Sequence, residues 1–391
     1  MNVNNTQHKK RGLALAVAGV MLSPWAQAAD VNISGFLSVG GGFVDDENSI
    51  AYGGYDDEDL TFDKNLLGLQ VSGQVNEKIS ATVQMIARSN DDYDFTAEWA
   101  YLTWQATENS KVRVGRLRTP FYMFSDYLDV GYTYAWISAP QELYYLPFNN
   151  VNGIDYYLTS ALGSFDTSFQ VYFGSFNDDF VLTGISATAE SKNQMGVAAT
   201  IGRDWWTLRA AYHQTDLTIE FSDFQLSETV SFNQFLGQLQ ASPFADTVSK
   251  VLVDEDRTTF AEVGLNIDTG RFVAAAEYVE FEVEDSFLSK NIRHYIMGGV
   301  RAGDFLFHVT SAKSDDELAT PEAGIPASAE TAPLIGTLQA IAATRGEFRD
   351  TMSYGVRWDV SSGVALKLQY DDVDDNKGEQ KVFSVALQSV F

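Results

Sequence analysis

The carboxyl-terminal segment QKVFSVALQSVF alternates apolar and polar side chains with a period of two. Phe383, Val385 and Leu387 fall on one face of an extended chain, and Ser384 and Gln388 fall on the other. Successive side chains of a β-strand point to opposite faces of a sheet, so this period predicts a strand with one apolar face. The pattern recurs in sixteen segments, each about the 9–11 residues that a tilted strand needs to cross a bilayer. The predicted strands are 31–44, 64–75, 79–90, 95–106, 110–118, 152–161, 165–176, 193–203, 205–217, 257–268, 271–282, 290–302, 304–313, 349–360, 363–373 and 380–391.

The connections between these strands differ in kind. Those after even-numbered strands are tight, such as NEK at 76–78 and DTG at 268–270. Those after odd-numbered strands are long, and they take most of the acidic clusters, including NDD at 177–179 and DDVDD at 371–375. Short turns at one end and long loops at the other are typical of outer-membrane barrels. We therefore expect an all-β fold, a closed antiparallel transmembrane β-barrel of sixteen strands.

The amino terminus predicts export. Residues 1–28 contain the basic stretch KKR, the apolar stretch LALAVAGVML and the small-residue motif AQA, which together indicate a cleaved secretory signal peptide. The mature barrel would then span 29–391, in the outer membrane of a Gram-negative bacterium. The chain has no cysteine, which excludes disulfides and thiolate metal sites.

The composition separates the membrane barrel from a soluble β-sandwich. The formal net charge is −27, yet the chain contains 26 Phe, 18 Tyr and 7 Trp. A lipid-facing surface accommodates that many rings, whereas a sandwich explains neither the rings nor the export signal. The negative charge gives no reason to expect a nucleic-acid partner.

Four features resemble the Gram-negative outer-membrane porins, especially the sixteen-stranded trimeric type. They are the signal peptide, VNISGFLSVGGGF as the first strand, VGRLRTP at the end of the fifth, and a last strand that ends on Phe391. The resemblance implies a homotrimer in contact with outer-membrane lipid and lipopolysaccharide, and recognition of the Phe391 strand by the barrel-assembly machinery. Gly35 and Gly41 would allow another copy to approach closely. The resemblance to porins also implies passive diffusion of small hydrophilic solutes and ions.

In that family the loop after the fifth strand, here about 119–151, folds into the lumen. It follows the stretch KVRVGRLRTP, and no Lys or Arg occurs from Thr119 to Asn150. We therefore expect a basic wall to face an acidic loop across the constriction, which sets up a transverse field. Strict alternation turns two of these arginines toward lipid, so a bulge at Gly115 is predicted to turn them inward. The constriction residues would be Arg113, Arg116, Arg118, Asp126, Asp129 and Glu142.

Five further bases share the inward parity of their strands, and we expect them to extend the basic wall. They are Arg88, Lys111, Arg209, Arg357 and Lys367. The many rings of the 119–151 loop are predicted to pack that loop against the wall rather than form a stacking track for sugars. Helical spacing of apolar residues at 232–239 and 334–341 predicts a short helix in each of two other long loops.

Two other functions compete with a general pore. One is a substrate-selective porin for a sugar or a small anion, and the other is a plugged structural or adhesive barrel. An enzyme is not expected, because His213, His294 and His308 fall on separate strands without the spacing of a catalytic or metal-binding motif. No cofactor and no metal site are predicted.

Overall fold

The computed structural model describes residues 30–45, 52–55, 59–182, 184–376 and 378–391. The predicted signal peptide, 1–28, lies outside these residues. Sixteen strands and two α-helices occur within the described part of the chain. The strands are β1 Val31–Val44, β2 Thr61–Asn76, β3 Ile79–Arg88, β4 Phe95–Thr107, β5 Ser110–Arg118, β6 Asn150–Leu162, β7 Phe165–Leu182, β8 Ile185–Arg203, β9 Trp206–Phe221, β10 Val253–Asp268, β11 Phe272–Val283, β12 Asn291–Ala302, β13 Phe305–Asp315, β14 Phe348–Ser361, β15 Val364–Asp375 and β16 Gly378–Val390.

Each strand pairs antiparallel with its neighbours in sequence, and β1 pairs with β16 to close the barrel. The predicted closed barrel of sixteen strands is confirmed. Closure pairs the backbone groups of every edge, which hydrocarbon would otherwise leave unsatisfied. Side chains fill a barrel of about eight strands, whereas sixteen strands leave room for an aqueous lumen.

The apolar side chains of the wall point outward. In β13, Phe305, Phe307 and Val309 are exposed, while His308 and Thr310 are buried on the opposite face. The exposed apolar face is the one that meets lipid in a membrane barrel, and the polar face lines the interior. Apolar side chains outside and polar side chains inside are the reverse of the arrangement in a soluble protein, and this follows directly from the period-two pattern.

Several strands extend beyond their predicted ends. β7 and β8 remain paired from Asn177↔Glu190 to Leu182↔Ile185, so the acidic run at 177–179 lies within a strand instead of a loop. β15 likewise includes the whole acidic run to Asp375. A run of acidic residues is unfavourable where a strand crosses hydrocarbon. Beyond the bilayer, in water, the same run does not prevent two strands from pairing.

Two long loops contain helices. The loop between β9 and β10, L5 (222–252), contains α1, Phe232–Gln240, which begins with a capping box at Ser231. The loop between β13 and β14, L7 (316–347), contains α2, Ala332–Ala343. Both predicted helices are confirmed. No helix within the described ranges is long and apolar enough to cross a lipid bilayer.

The loop between β5 and β6, L3 (119–149), makes contacts far around the barrel. The indole nitrogen of Trp136 donates to Thr310 on β13 at 2.7 Å. Gln388 on β16 donates to the carbonyl of Ile137 at 2.8 Å. β13 stands eight strands from β5 in the ring of sixteen, so L3 contacts the side of the barrel opposite the strand from which it starts.

Candidate pore lining

Basic side chains of the wall bind the backbone of L3. The ammonium of Lys367 on β15 is buried, and it donates to the carbonyls of Gly131, Tyr134 and Trp136 at 2.6, 2.8 and 2.6 Å. Arg357 on β14 donates to the carbonyls of residues 132 and 134 at 2.6 and 3.0 Å. Hydrogen bonds from a charged donor are stronger than neutral ones, so these contacts fix the middle of the loop.

A third base binds the beginning of L3. Arg209 on β9 donates to the carbonyls of Pro120 and Phe121 and forms an ion pair with Glu262 on β10. Glu277 on β11 in turn accepts from the backbone of L3 residue Met123 at 2.9 Å. Three of the predicted wall bases therefore contact L3 through carbonyl oxygens of the main chain, not through acidic side chains.

Asp129 is the acidic residue of L3 that meets two arginines of the wall. It accepts from Arg88 on β3 at 2.8 Å and from Arg118 at the end of β5 at 2.5 Å. Glu98 on β4 lies between the same two arginines, 2.8 Å from Arg88 and 3.9 Å from Arg118. Burial opposes ionisation of Asp129, but the two guanidinium groups outweigh it and lower its pKa below the usual 3.8.

The other bases of β5, two from the predicted constriction and one from the predicted lumen wall, have partners on the wall. Arg113 forms a two-pronged contact with Asp155 on β6, with distances of 3.0 and 2.5 Å. Arg116 lies 3.7 Å from Asp178 on β7. Lys111 stands over the ring of Tyr157, 4.8 Å from its centre. The structure thus places Arg88 and Arg118 on the L3 carboxylate, whereas these three bases contact neighbouring strands.

The two remaining acids of L3 lie apart from that cluster. Asp126 is exposed and lines a cavity of about 220 Å³ on the β6–β10 side of the loop. Glu142 is buried and accepts from the hydroxyls of Tyr52 and Thr351 at 2.8 and 2.6 Å. The six predicted constriction residues therefore occupy several separate contacts, of which one joins a base of β5 to an acid of L3.

The predicted bulge at Gly115 is wrong. Pairing continues without a shift past this residue on both sides, from Ala100↔Arg116 to Tyr101↔Gly115 in one direction and through Gly115↔Gly153 in the other. Gly115 instead has a φ of +139°, and a Cβ there would lie 2.2 Å from the carbonyl oxygen of Ala100. Arg118 is the last residue of the strand, and its guanidinium binds Asp129 of L3.

The rings of L3 pack, as predicted. Trp136 and Tyr122 are about 1% exposed, and the buried cluster around them joins the loop to residues of β10–β13 such as Phe260 and Tyr295. Trp136 meets the ring of Tyr295 edge-on at 5.4 Å. Rings buried in this way anchor the loop and are not available for stacking with a solute.

A cavity of about 670 Å³ lies between L3 and the wall formed by β14–β16 and β1–β3. Its wall side is rich in amides and hydroxyls, among them Ser38, Ser384 and Gln369. Two cations and two anions line it within the described residues, namely Lys64, Arg88, Asp129 and Asp371. Lys64, Glu98, Asp155 and Asp371 were missed by the sequence reasoning, although Lys64 and Asp371 fall at those ends of predicted alternating strands that adjoin the long loops.

A comparison of the whole sequence with known protein families identifies the family of this chain. The sequence profile of one family, described as Gram-negative porin, matches residues 13–388. The chain belongs to the Gram-negative porins. No curated protein sequence is similar enough to count as a relative.

Three solved structures illustrate how this porin compares with others. OmpT, an outer membrane protein of Vibrio cholerae, is 13% identical with a TM-score of 0.53, over 95% of this chain and 99% of that one. The anion-selective porin from Comamonas acidovorans is 12% identical with a TM-score of 0.54, over 93% and 100%. Salmonella typhi OmpF, in a complex with daunomycin, is 12% identical with a TM-score of 0.56, over 92% and 97%. Identities this low establish a shared fold, while family membership makes this porin an outer-membrane channel protein.

Proposed function

We propose that this porin lets small hydrophilic solutes diffuse passively through the 670 Å³ cavity between L3 and the wall formed by β14–β16 and β1–β3. The observation that carries the proposal is the lining. Amides, hydroxyls and two charges of each sign line this space, and the packed rings of Tyr134, Trp136 and Tyr144 line its L3 side. Polar solutes exchange water for such groups at little cost, whereas apolar solutes would have to displace ordered water.

We also propose that Asp129 opposite Arg88 and Arg118 supplies the transverse field at the narrowest part. The charges within a screening length of about 8 Å decide ion selectivity. Lys64 and Arg88 balance Asp129 and Asp371 there, so selectivity between cations and anions is expected to be weak. Arg113, Asp126 and Glu142 have partners or positions outside this group and contribute less to the field.

Because the chain has no cysteine, a single introduced thiol tests the route. Ser384→Cys places that thiol in the cavity, and Ser222→Cys places one on the exposed surface of L5. Modification with a charged methanethiosulfonate should lower the single-channel conductance of the first variant and leave the second unchanged. If the modified Ser384→Cys channel, verified by mass spectrometry, conducts like the unmodified one, solutes do not pass here.

A panel of solutes separates the general pore from the alternatives. The general pore predicts that conductance falls smoothly with solute size and that no compound blocks the current in a saturable way. Saturable block by one sugar or anion would favour a substrate-selective porin, and the absence of stable current steps would favour a plugged barrel. The inferred lack of an enzymatic role is supported by family membership.

We infer that the porin is exported with a signal peptide that is cleaved after residue 28, and that the mature protein forms a homotrimer. OmpT of Vibrio cholerae, which shares its fold, has a trimer form. The space beside Gly35 and Gly41 is occupied by the rings of Phe391 and Phe62 of the same chain, so these glycines do not present a bare surface to another copy. Light scattering of the protein in mild detergent tests the trimer, and a monomer mass would contradict it.

The last strand supports a proposed role in assembly. Phe391 exchanges two backbone hydrogen bonds with Gly35 of β1, at 2.8 and 2.9 Å, so the terminal residue takes part in barrel closure. We propose that the assembly machinery recognises this strand before closure. Deletion of Phe391 should reduce the folded fraction in the outer membrane while the same deletion leaves refolding in detergent largely intact.

A further inference from the structure

A second cavity, of about 360 Å³, lies above L3 at the end of the barrel that carries the long loops. One side of it is apolar and is formed by the end of L3, by β7, β9 and β11, and by the loop between β11 and β12. The side chains on this apolar side are Phe148, Phe180, Leu217, Ile219, Phe281 and Leu288. The volume lies within the range of about 300–1,000 Å³ that is usual for small-molecule sites.

The opposite side of this upper cavity is polar and basic. Three guanidinium groups and two carboxylates line it within the described residues, belonging to Arg293, Arg345, Arg349, Glu347 and Asp375. Glu347 bridges two of the arginines, at 3.0 Å from Arg293 and 2.9 Å from Arg349. Arg293 is further bound by Asp316 at 2.9 Å and by the carbonyl of Glu142 at 3.0 Å. The polar side is therefore rigid, and cations outnumber anions among the groups that line it.

Two hydrogen-bond donors on the polar side have no acceptor. Ser289 is 2% exposed, and its hydroxyl makes no hydrogen bond with any described residue. The Nε–H of Arg349 is likewise buried without an acceptor, although its Nη2 is paired with Glu347 and Asp375. A buried donor left unpaired costs free energy, and an acceptor that enters the cavity recovers it.

We propose that the upper cavity binds a small molecule that combines an apolar body of one or two rings with a single carboxylate. The apolar side removes the body from water, which is the main source of affinity. The carboxylate accepts from Ser289 and from Arg349, because an ionised carboxylate is an acceptor with two oxygens and no donor. This inference is independent of the proposed diffusion route, which passes on the other side of L3.

The probe for the test is naphthalene-2-carboxylate, a rigid fluorescent carboxylate of suitable size, with the full-length porin in lipid nanodiscs. Saturable binding is expected to the wild type. Ser289→Ala should weaken it about tenfold, since one hydrogen bond to a charged acceptor is lost. Leu288→Trp fills the apolar side and should abolish it. Ser222→Ala, on the exposed surface of L5, is the matched control and should bind as the wild type does.

The neutral isostere naphthalene-2-carboxamide tests the head group and should bind at least tenfold more weakly than the acid. Equal binding of acid and amide, or unchanged binding by Ser289→Ala, would overturn the assignment of the polar side. Unchanged binding by Leu288→Trp, with normal heat-modifiable migration, would place the probe elsewhere. Absence of binding alongside normal channel steps would refute this inference and leave the proposed diffusion function intact.

Discussion

Lys367→Met tests whether wall bases position L3 through its main chain. The substitution keeps most of the side-chain volume and removes an ammonium that donates to three carbonyls of residues 131–136, at 2.6–2.8 Å. A net hydrogen bond to a charged group contributes about 1.5–3 kcal/mol. The three bonds are not additive, because the buried ammonium also loses its hydration, so we expect a net loss of about 3–5 kcal/mol.

The loss should be local. The barrel keeps every strand pair, and L3 keeps the contacts of Arg357, Gln388 and Asp129. A loss of about 3–5 kcal/mol raises the population in which residues 131–136 have left the wall by about two to four orders of magnitude. Hydrogen exchange of the peptide that covers 128–140 measures this opening directly, and single-channel current noise reports its effect on the pore.

Lys381→Met is the matched control, because it removes an exposed lysine from the adjacent strand β16. It should leave both exchange and noise unchanged. If Lys367→Met gives the exchange rates of the wild type, with heat-modifiable migration intact, then the lysine does not position the loop. The reasoning about main-chain anchoring would then be wrong.

Three further predictions concern L3 and β5. Replacement of Arg116 and Arg118 by Gln should shift the reversal potential under a salt gradient toward cation selectivity, because Asp129 loses one of its two counter-charges; an unchanged potential would show that these arginines do not act on the constriction. Gly115→Ala should lower the folded yield, because its φ is +139° and its Cβ would contact the Ala100 carbonyl, whereas Gly298→Ala, with open space around it, should fold normally. The pKa of Asp129 is lowered, so its stabilisation of L3 is complete above the usual pKa of 3.8 and is lost as pH falls through the depressed pKa. Hydrogen exchange in L3, corrected for intrinsic rates, should therefore show no loss of this contact between pH 7 and pH 4.5.

Local sequence patterns were sufficient to predict the barrel. Alternation such as Phe305, Phe307 and Val309 against His308 and Thr310 assigns each strand two faces, and a tight turn such as that between β12 and β13 forces its two strands to pair. The same local logic predicted the helices of L5 and L7, because the spacing of their apolar residues is a property of neighbouring turns. Local patterns therefore specified which segments form strands, and in what order they pair.

The partners of the charged side chains of the lumen, in contrast, depend on how the whole chain folds. Lys367 lies 231–236 residues from the carbonyls that it binds, and a carbonyl is present at every residue, so no side-chain pattern marks it as an acceptor. The same holds for Glu142, whose partners Tyr52, between β1 and β2, and Thr351 on β14 come together only when the ring of strands closes. Parity indicates that a base faces the lumen, but its partner depends on the path of L3 across a barrel that the whole chain must first complete.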